Sequence, residues 1–212
     1  MAITILNGCS FTASWESFSS DYPNGVNLSL PGGSNRRSFR TTMEYCTTHN
    51  VSRVMIGITD MSRFEFPQMK FDDVLVEGPY IQSNRHNGIP LRDKIRKYHM
   101  SVEQPWLYEF DSFLIDLIGF ASWLDQQKIN YLIWNQSNHF DLNFMQRQFM
   151  QKLKYVQNNT RIINLFEFCA NEYLDSLGCK FNENDRQYEA RSRHFAPEEF
   201  VHLKNYLDQY WQ

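Results

Sequence analysis

The chain has no long uninterrupted apolar run, no block of like charge and no closely spaced cysteine pair, and each absence narrows what it can be. Its longest apolar stretch, around Phe113 to Trp123, is broken by Asp116, which argues against a membrane-spanning helix. No charged leader followed by an apolar segment of signal-peptide length opens the sequence. The four cysteines, Cys9, Cys46, Cys169 and Cys179, form no Cys-x-x-Cys motif. Neither a metal site nor a cofactor is therefore expected, and the thiols should be free in a reducing cytoplasm. A formal net charge of −3 and a pI near 6.1 give no electrostatic reason for a nucleic acid or a membrane surface as partner. The short basic cluster Arg36, Arg37 and Arg40 reads as a solvated helix face.

What is present suits one α/β domain over residues 1–212. There is no internal repeat, no low-complexity tract and no linker, and 212 residues at 42% hydrophobic content can bury a sizeable core. The 16% aromatic content reads first as an aromatic-rich core and second as a carbohydrate-facing groove or protein interface. Apolar periodicity predicts strands at 2–7, near Val26 to Leu30, at Val51 to Ile58, at Tyr131 to Trp134 and at Arg161 to Leu165. Helices are predicted over Asn35 to His49, Glu103 to Gln127, Asn143 to Val156 and Ala196 to Trp211. The alternation implies a parallel sheet covered on both faces. Residues 67–102 have little sustained periodicity and read as an irregular insertion: a lid, a small hairpin or an oligomer contact.

The first strand stops at Asn7-Gly8, and Ser10 follows at its carboxyl end, where open α/β sheets build binding crevices. Three further segments carry chemistry-bearing residues. Leu30-Pro31-Gly32-Gly33-Ser34-Asn35 precedes a helix that Ser34 or Asn35 can cap, and its glycines let backbone approach a ligand closely. Gly57-Ile58-Thr59-Asp60 ends the next strand, followed by Arg63 and Glu65, which pair with each other or leave Arg63 facing the pocket. Arg193-His194-Phe195-Ala196-Pro197 precedes the last helix.

In this order the segments resemble the motifs of the SGNH (GDSL-like) hydrolases. Gly8-Cys9-Ser10-Phe11 is similar to the first motif with Cys9 in place of Asp; Gly57-Ile58-Thr59-Asp60 is similar to the third with Thr59 in place of Asn; and His194 matches the last, with Arg191 standing where the family keeps Asp. The Gly-Ser-Asn second motif and the threonine look like the SGNH-like proteins of tailed bacteriophages and some bacteria. The resemblance implies a three-layer α/β/α sandwich with a flavodoxin-like five-strand parallel sheet in order 2-1-3-4-5. It implies Ser10 as nucleophile and His194 as base. The oxyanion hole would comprise Ser10, Gly32 (with Gly33 as the second candidate) and Thr59, with Asn35 and Arg63 near substrate and Asp185 or Glu189 as a displaced orienting acid. Expected substrates are small acyl esters, including O-acetyl groups of carbohydrates, met in a host cytoplasm or on a virion if the gene is phage-borne. Two rivals stay open: a catalytically silent glycan- or protein-binding domain, which the three departures favour, and an acyltransferase using the same serine.

Overall fold

Short β-branched runs build the centre of the molecule. The computed structural model describes residues 2–31, 33–59, 61, 63–64, 74–77, 80–82, 105–136, 142–163, 165–182 and 194–211. Its main sheet has five parallel strands: β1 (Ile3–Asn7), β2 (Gly25–Asn27), β3 (Val51–Ile58), β7 (Asn130–Asn135) and β8 (Ile162–Ile163), in spatial order β2-β1-β3-β7-β8. Counted within this sheet alone the order is 2-1-3-4-5, as expected. The order reverses between β1 and β3, which pair from Ile3↔Val51 to Asn7↔Ile56.

Alternate residues of each strand enter separate cores, which is why the strands read as continuous apolar runs. Ile5, Val54, Ile56, Ile58, Tyr131 and Ile133 face α3 (Asn35–Thr48), α4 (Pro105–Gln126) and α5 (Leu142–Asn158). Leu6, Met55, Leu132 and Trp134 face the other layer: α1 (Ser10–Ala13), α2 (Phe18–Asp21), α6 (Ala170–Ser176) and α7 (Phe200–Asp208). The architecture is thus a three-layer α/β/α sandwich. Each fully buried Ile or Leu contributes about 1.5–3 kcal/mol of burial, so the strand centres anchor both layers. The aromatic content serves these cores: Trp15 stacks on Phe200 at 5.4 Å, and Phe39 stacks on Phe120 at 4.6 Å.

The long helices lie within a few residues of the sequence expectation, and the differences are local. Ser34 caps α3, its hydroxyl accepting from Arg37 N at 3.2 Å. Of the basic cluster on α3, Arg36 reaches Asp116 of α4 at 2.7 Å and Arg40 pairs with Glu44, both in solvent. The helix expected over 196–211 is a 3-10 turn, Pro197–Glu199, followed by α7, because Pro197 sets the entry and the first turn closes tightly. The fifth strand is shorter than 161–165. Helices α1, α2 and α6 were not foreseen; at 4, 4 and 7 residues they are too short to show periodicity.

Within the segment read as an irregular insertion, β5 (Val74–Glu77) and β6 (Tyr80–Gln82) form an antiparallel hairpin that adds β4 (Arg63–Phe64) as a third strand. The rest of 67–102 lies outside the described residues. Among the described residues no helix is long and apolar enough to cross a membrane, and all four cysteines are free thiols.

Candidate active site

The carboxyl ends of β1 and β3 lie side by side where the strand order reverses, and the loops after them carry Ser10 and Thr59. Asn7, at the end of β1, is fully buried and spends its whole side chain on local scaffolding. Its Nδ2 donates to Ser38 O, Thr41 Oγ1 and Thr42 Oγ1 at 2.9–3.0 Å, and its Oδ1 accepts from Gly8 N at 2.9 Å. These bonds tie the start of the Ser10 loop to α3.

Gly8 then passes through a gap that no side chain fits. A Cβ there would meet Thr12 Oγ1, the Gly57 carbonyl at 2.8 Å and Gln136 Nε2 at 2.9 Å. Cys9 occupies the N-cap of α1, and its carbonyl accepts from Ala13 N and Thr12 Oγ1. Ser10 opens α1, partly exposed, with its carbonyl bonded to Ser14. The helical turn after β1 thus presents the serine at the sheet edge while Phe11 and Thr12 turn inward.

Gln136, just past β7, holds the two strand ends behind the serine, and sequence reasoning did not single it out. Fully buried, it donates from Nε2 to the Gly57 carbonyl, accepts at Oε1 from Cys9 Sγ at 3.5 Å, and its main-chain N donates to Ile58 O at 3.1 Å. Its carbonyl accepts from Asn171 N and from Cys169 Sγ. A Cβ at Gly57 would collide with the Gln136 side chain, so the glycine of the third motif is required by this contact. Burial pushes the Cys169 thiol up, and backbone hydrogen bonds from residues 172 and 171 partly offset this. The only sequence signal for Gln136 is a polar residue directly after an apolar strand.

Asn35 and Thr59 form a second clamp. Asn35 Nδ2 donates to Thr59 O at 2.9 Å, and Thr59 N donates to Asn35 Oδ1 at 2.8 Å, both residues being buried. Asn35 keeps one amide hydrogen for anything else. Thr59 is 1% exposed, so it lies inside the protein at the end of β3.

His194 is half-buried and lies on a short antiparallel pairing, its carbonyl accepting from Asn182 N at 2.8 Å. Phe195, next to it, packs edge-on against Phe11, next to Ser10, with ring centres 6.5 Å apart. The two candidate catalytic residues therefore sit on neighbouring segments, and among the described residues Ser10 Oγ makes no side-chain hydrogen bond. Gly32, Asp185, Glu189, Asp60 and Arg191 lie outside the described residues, as does the side chain of Arg63, whose main chain is in β4. Gly33, the alternative to Gly32, is buried against Leu30, to which its N–H donates at 2.8 Å.

No protein-family model matches the chain, and no curated protein matches it. Similar solved structures include a proposed acylhydrolase of Bacteroides fragilis, at 9% identity and a TM-score of 0.44, covering 98% of this chain and 85% of that one. Another is a GDSL-like lipase of Bacteroides thetaiotaomicron, at 12% identity and a TM-score of 0.42, covering 97% and 85%.

Proposed function

We propose that the chain is a serine hydrolase of small acyl esters with an SGNH-type site. One observation carries the reading: Ser10 opens a helical turn directly after β1, at the strand-order reversal where open α/β sheets bind ligands. In this reading Ser10 Oγ attacks the acyl carbonyl, and His194 takes its proton and returns it to the leaving alcohol. The Ser10 N–H and the Gly32 N–H would stabilise the oxyanion, aided by Thr59, since the Gly33 N–H is spent on Leu30 O. Asp185 or Glu189 would orient the imidazole, and Arg63 would meet a polar substrate group. Asn35 acts by shaping the Thr59 loop. O-acetyl groups of a carbohydrate fit the substrate class, and a phage setting would make a surface polysaccharide the carrier.

The burial of Thr59 favours a second reading, a silent glycan- or protein-binding domain on the same scaffold. A fluorophosphonate probe separates the two. Labelling that maps to Ser10 by mass, and disappears in Ser10→Ala and His194→Ala, is the expected result. A folded protein that takes no label, and releases no acetate from activated acetyl esters, would replace the hydrolase with the binding domain.

A further inference from the structure

Three donors of different chemistry converge between the end of α6 and the start of α7: Cys179 Sγ, a Glu199 carboxylate oxygen and a His202 ring nitrogen all lie within 4.8 Å of one another. We propose that they form a binding site for one divalent transition-metal ion, zinc being the first candidate. The sequence hides the site because Cys179 is far from the Glu199-x-x-His202 pair and none of the three belongs to a familiar ligand motif.

Each ligand is placed by ordinary local structure. Gly178, at φ +72°, ends α6 in a left-handed turn in which Cys179 N bonds to Leu174 O and Gly178 N to Asp175 O. This turn carries the Cys179 thiol into a buried position. Glu199 closes the 3-10 turn and His202 follows three residues later, so both face the same side of the helix. Glu199 is already oriented: its Oε1 accepts from Lys180 N at 3.1 Å, leaving Oε2 toward His202 Nε2 at 3.7 Å.

The geometry and the donor set select the ion. Tetrahedral zinc with bond lengths of roughly 2.0–2.3 Å separates its ligand atoms by about 3.3–3.7 Å. The Glu199–His202 distance of 3.7 Å already meets this, and the thiol lies within 4.8 Å of both. Sulfur and imidazole donors disfavour magnesium and calcium. On binding, the metal–sulfur bond replaces the S–H bond and the proton leaves to solvent; the carboxylate and the neutral imidazole donate lone pairs, and water completes the fourth position. The Lys180 N–H on the second carboxylate oxygen is the kind of outer contact that holds a ligating carboxylate in place.

The site would latch the end of α6 to the start of α7. Between these points run the contacts that hold His194: Ala196 N to Lys180 O at 2.9 Å and Asn182 N to His194 O at 2.8 Å. The ion would therefore stiffen the segment bearing His194. The proposal does not depend on any hydrolase activity.

Cobalt(II) titration of the full chain, reduced and stripped with a chelator, tests it. The expected result is one equivalent bound with a thiolate-to-cobalt charge-transfer band, displaced by one equivalent of zinc, and unchanged in Ser10→Ala. The band should vanish in Cys179→Ser, and affinity should fall more than about tenfold in His202→Ala. His202 is about half exposed, so its replacement leaves the fold intact and serves as the control against misfolding. No band, or a band that survives Cys179→Ser or is indifferent to His202→Ala, would overturn the site.

Discussion

The side chain of Asn35 and the main chain of Thr59 hold each other through two hydrogen bonds, at 2.9 and 2.8 Å, across the gap between α3 and the end of β3. Replacing Asn35 by Ala removes both of these buried hydrogen bonds at once, which should cost about 2–4 kcal/mol in urea unfolding. Asn35→Asp keeps the acceptor but sets a carboxylate against the Thr59 carbonyl. That carboxyl's pKa would be raised in the folded state, so the lost stability should return as pH falls and the group protonates. An Asn35→Asp protein with no such acid recovery would show that the pair does not hold the loop.

Gly57 and Gln136 should behave as a coupled pair. The three atoms nearest a Cβ at Gly57 all belong to the Gln136 side chain. Gly57→Ala alone should destabilise by about 3 kcal/mol or more, whereas Gly57→Ala combined with Gln136→Ala should recover at least about 1 kcal/mol of that loss relative to additivity. Gly8→Ala should gain no comparable relief, because the Gly57 carbonyl and Thr12 remain in its way. A double-mutant cycle on denaturant midpoints measures both cases, and strict additivity at 57/136 would refute the contact.

The legibility of this protein in its sequence follows from the same residues. The strand stretch Val54–Ile58 is buried throughout, so a continuous apolar run announces it, and alternation with helices makes the sheet parallel, whereas the order 2-1-3-4-5 is what the resemblance implies. Ser10 was visible because an apolar strand stops at Asn7-Gly8. Gln136 was not, since its importance arises from three chain segments meeting and leaves no local pattern. Asn35 was read as lying near substrate, and only its partner at Thr59 reveals the scaffolding bond. The short helices α1 and α2 are set by tertiary contacts, with Trp15 packed against both Phe18 and Phe200, and not by their own periodicity.

Tyr22 links the α2 turn to the C-terminal helix, its hydroxyl donating to Asp208 Oδ1 at 2.8 Å. Burial, and then the Asp208 carboxylate, raises its pKa far above the ordinary tyrosine value of 10.0. For a group whose folded pKa is raised, the contribution to stability is complete below the unfolded pKa and is lost as pH climbs above it. Thermal midpoints should therefore fall more steeply in the wild type than in Tyr22→Phe above about pH 9.5–10. At neutral pH Tyr22→Phe should lose about 1 kcal/mol or somewhat more, as expected for a hydrogen bond to a charged acceptor. Parallel midpoint curves across the alkaline range would show that this phenol does not titrate as the structure requires.

Cys9 stands where the resembling family keeps an aspartate, and its surroundings disfavour an acid. Cys9 is 5% exposed and its thiol donates toward Gln136 Oε1 at 3.5 Å. A carboxylate would face that acceptor in a dry site, and turning the Gln136 amide round to donate would instead aim its oxygen at the Gly57 carbonyl. Restoring the family residue by Cys9→Asp should therefore destabilise the protein by about 2 kcal/mol or more, with partial recovery at acid pH when the carboxyl can donate. Cys9→Ser keeps a donor of smaller size and should cost less than Cys9→Asp at neutral pH. Urea unfolding of both variants, read beside fluorophosphonate labelling of Ser10, decides the matter. A Cys9→Asp protein as stable as the wild type would mean that Gln136 does not fix the residue preceding the serine.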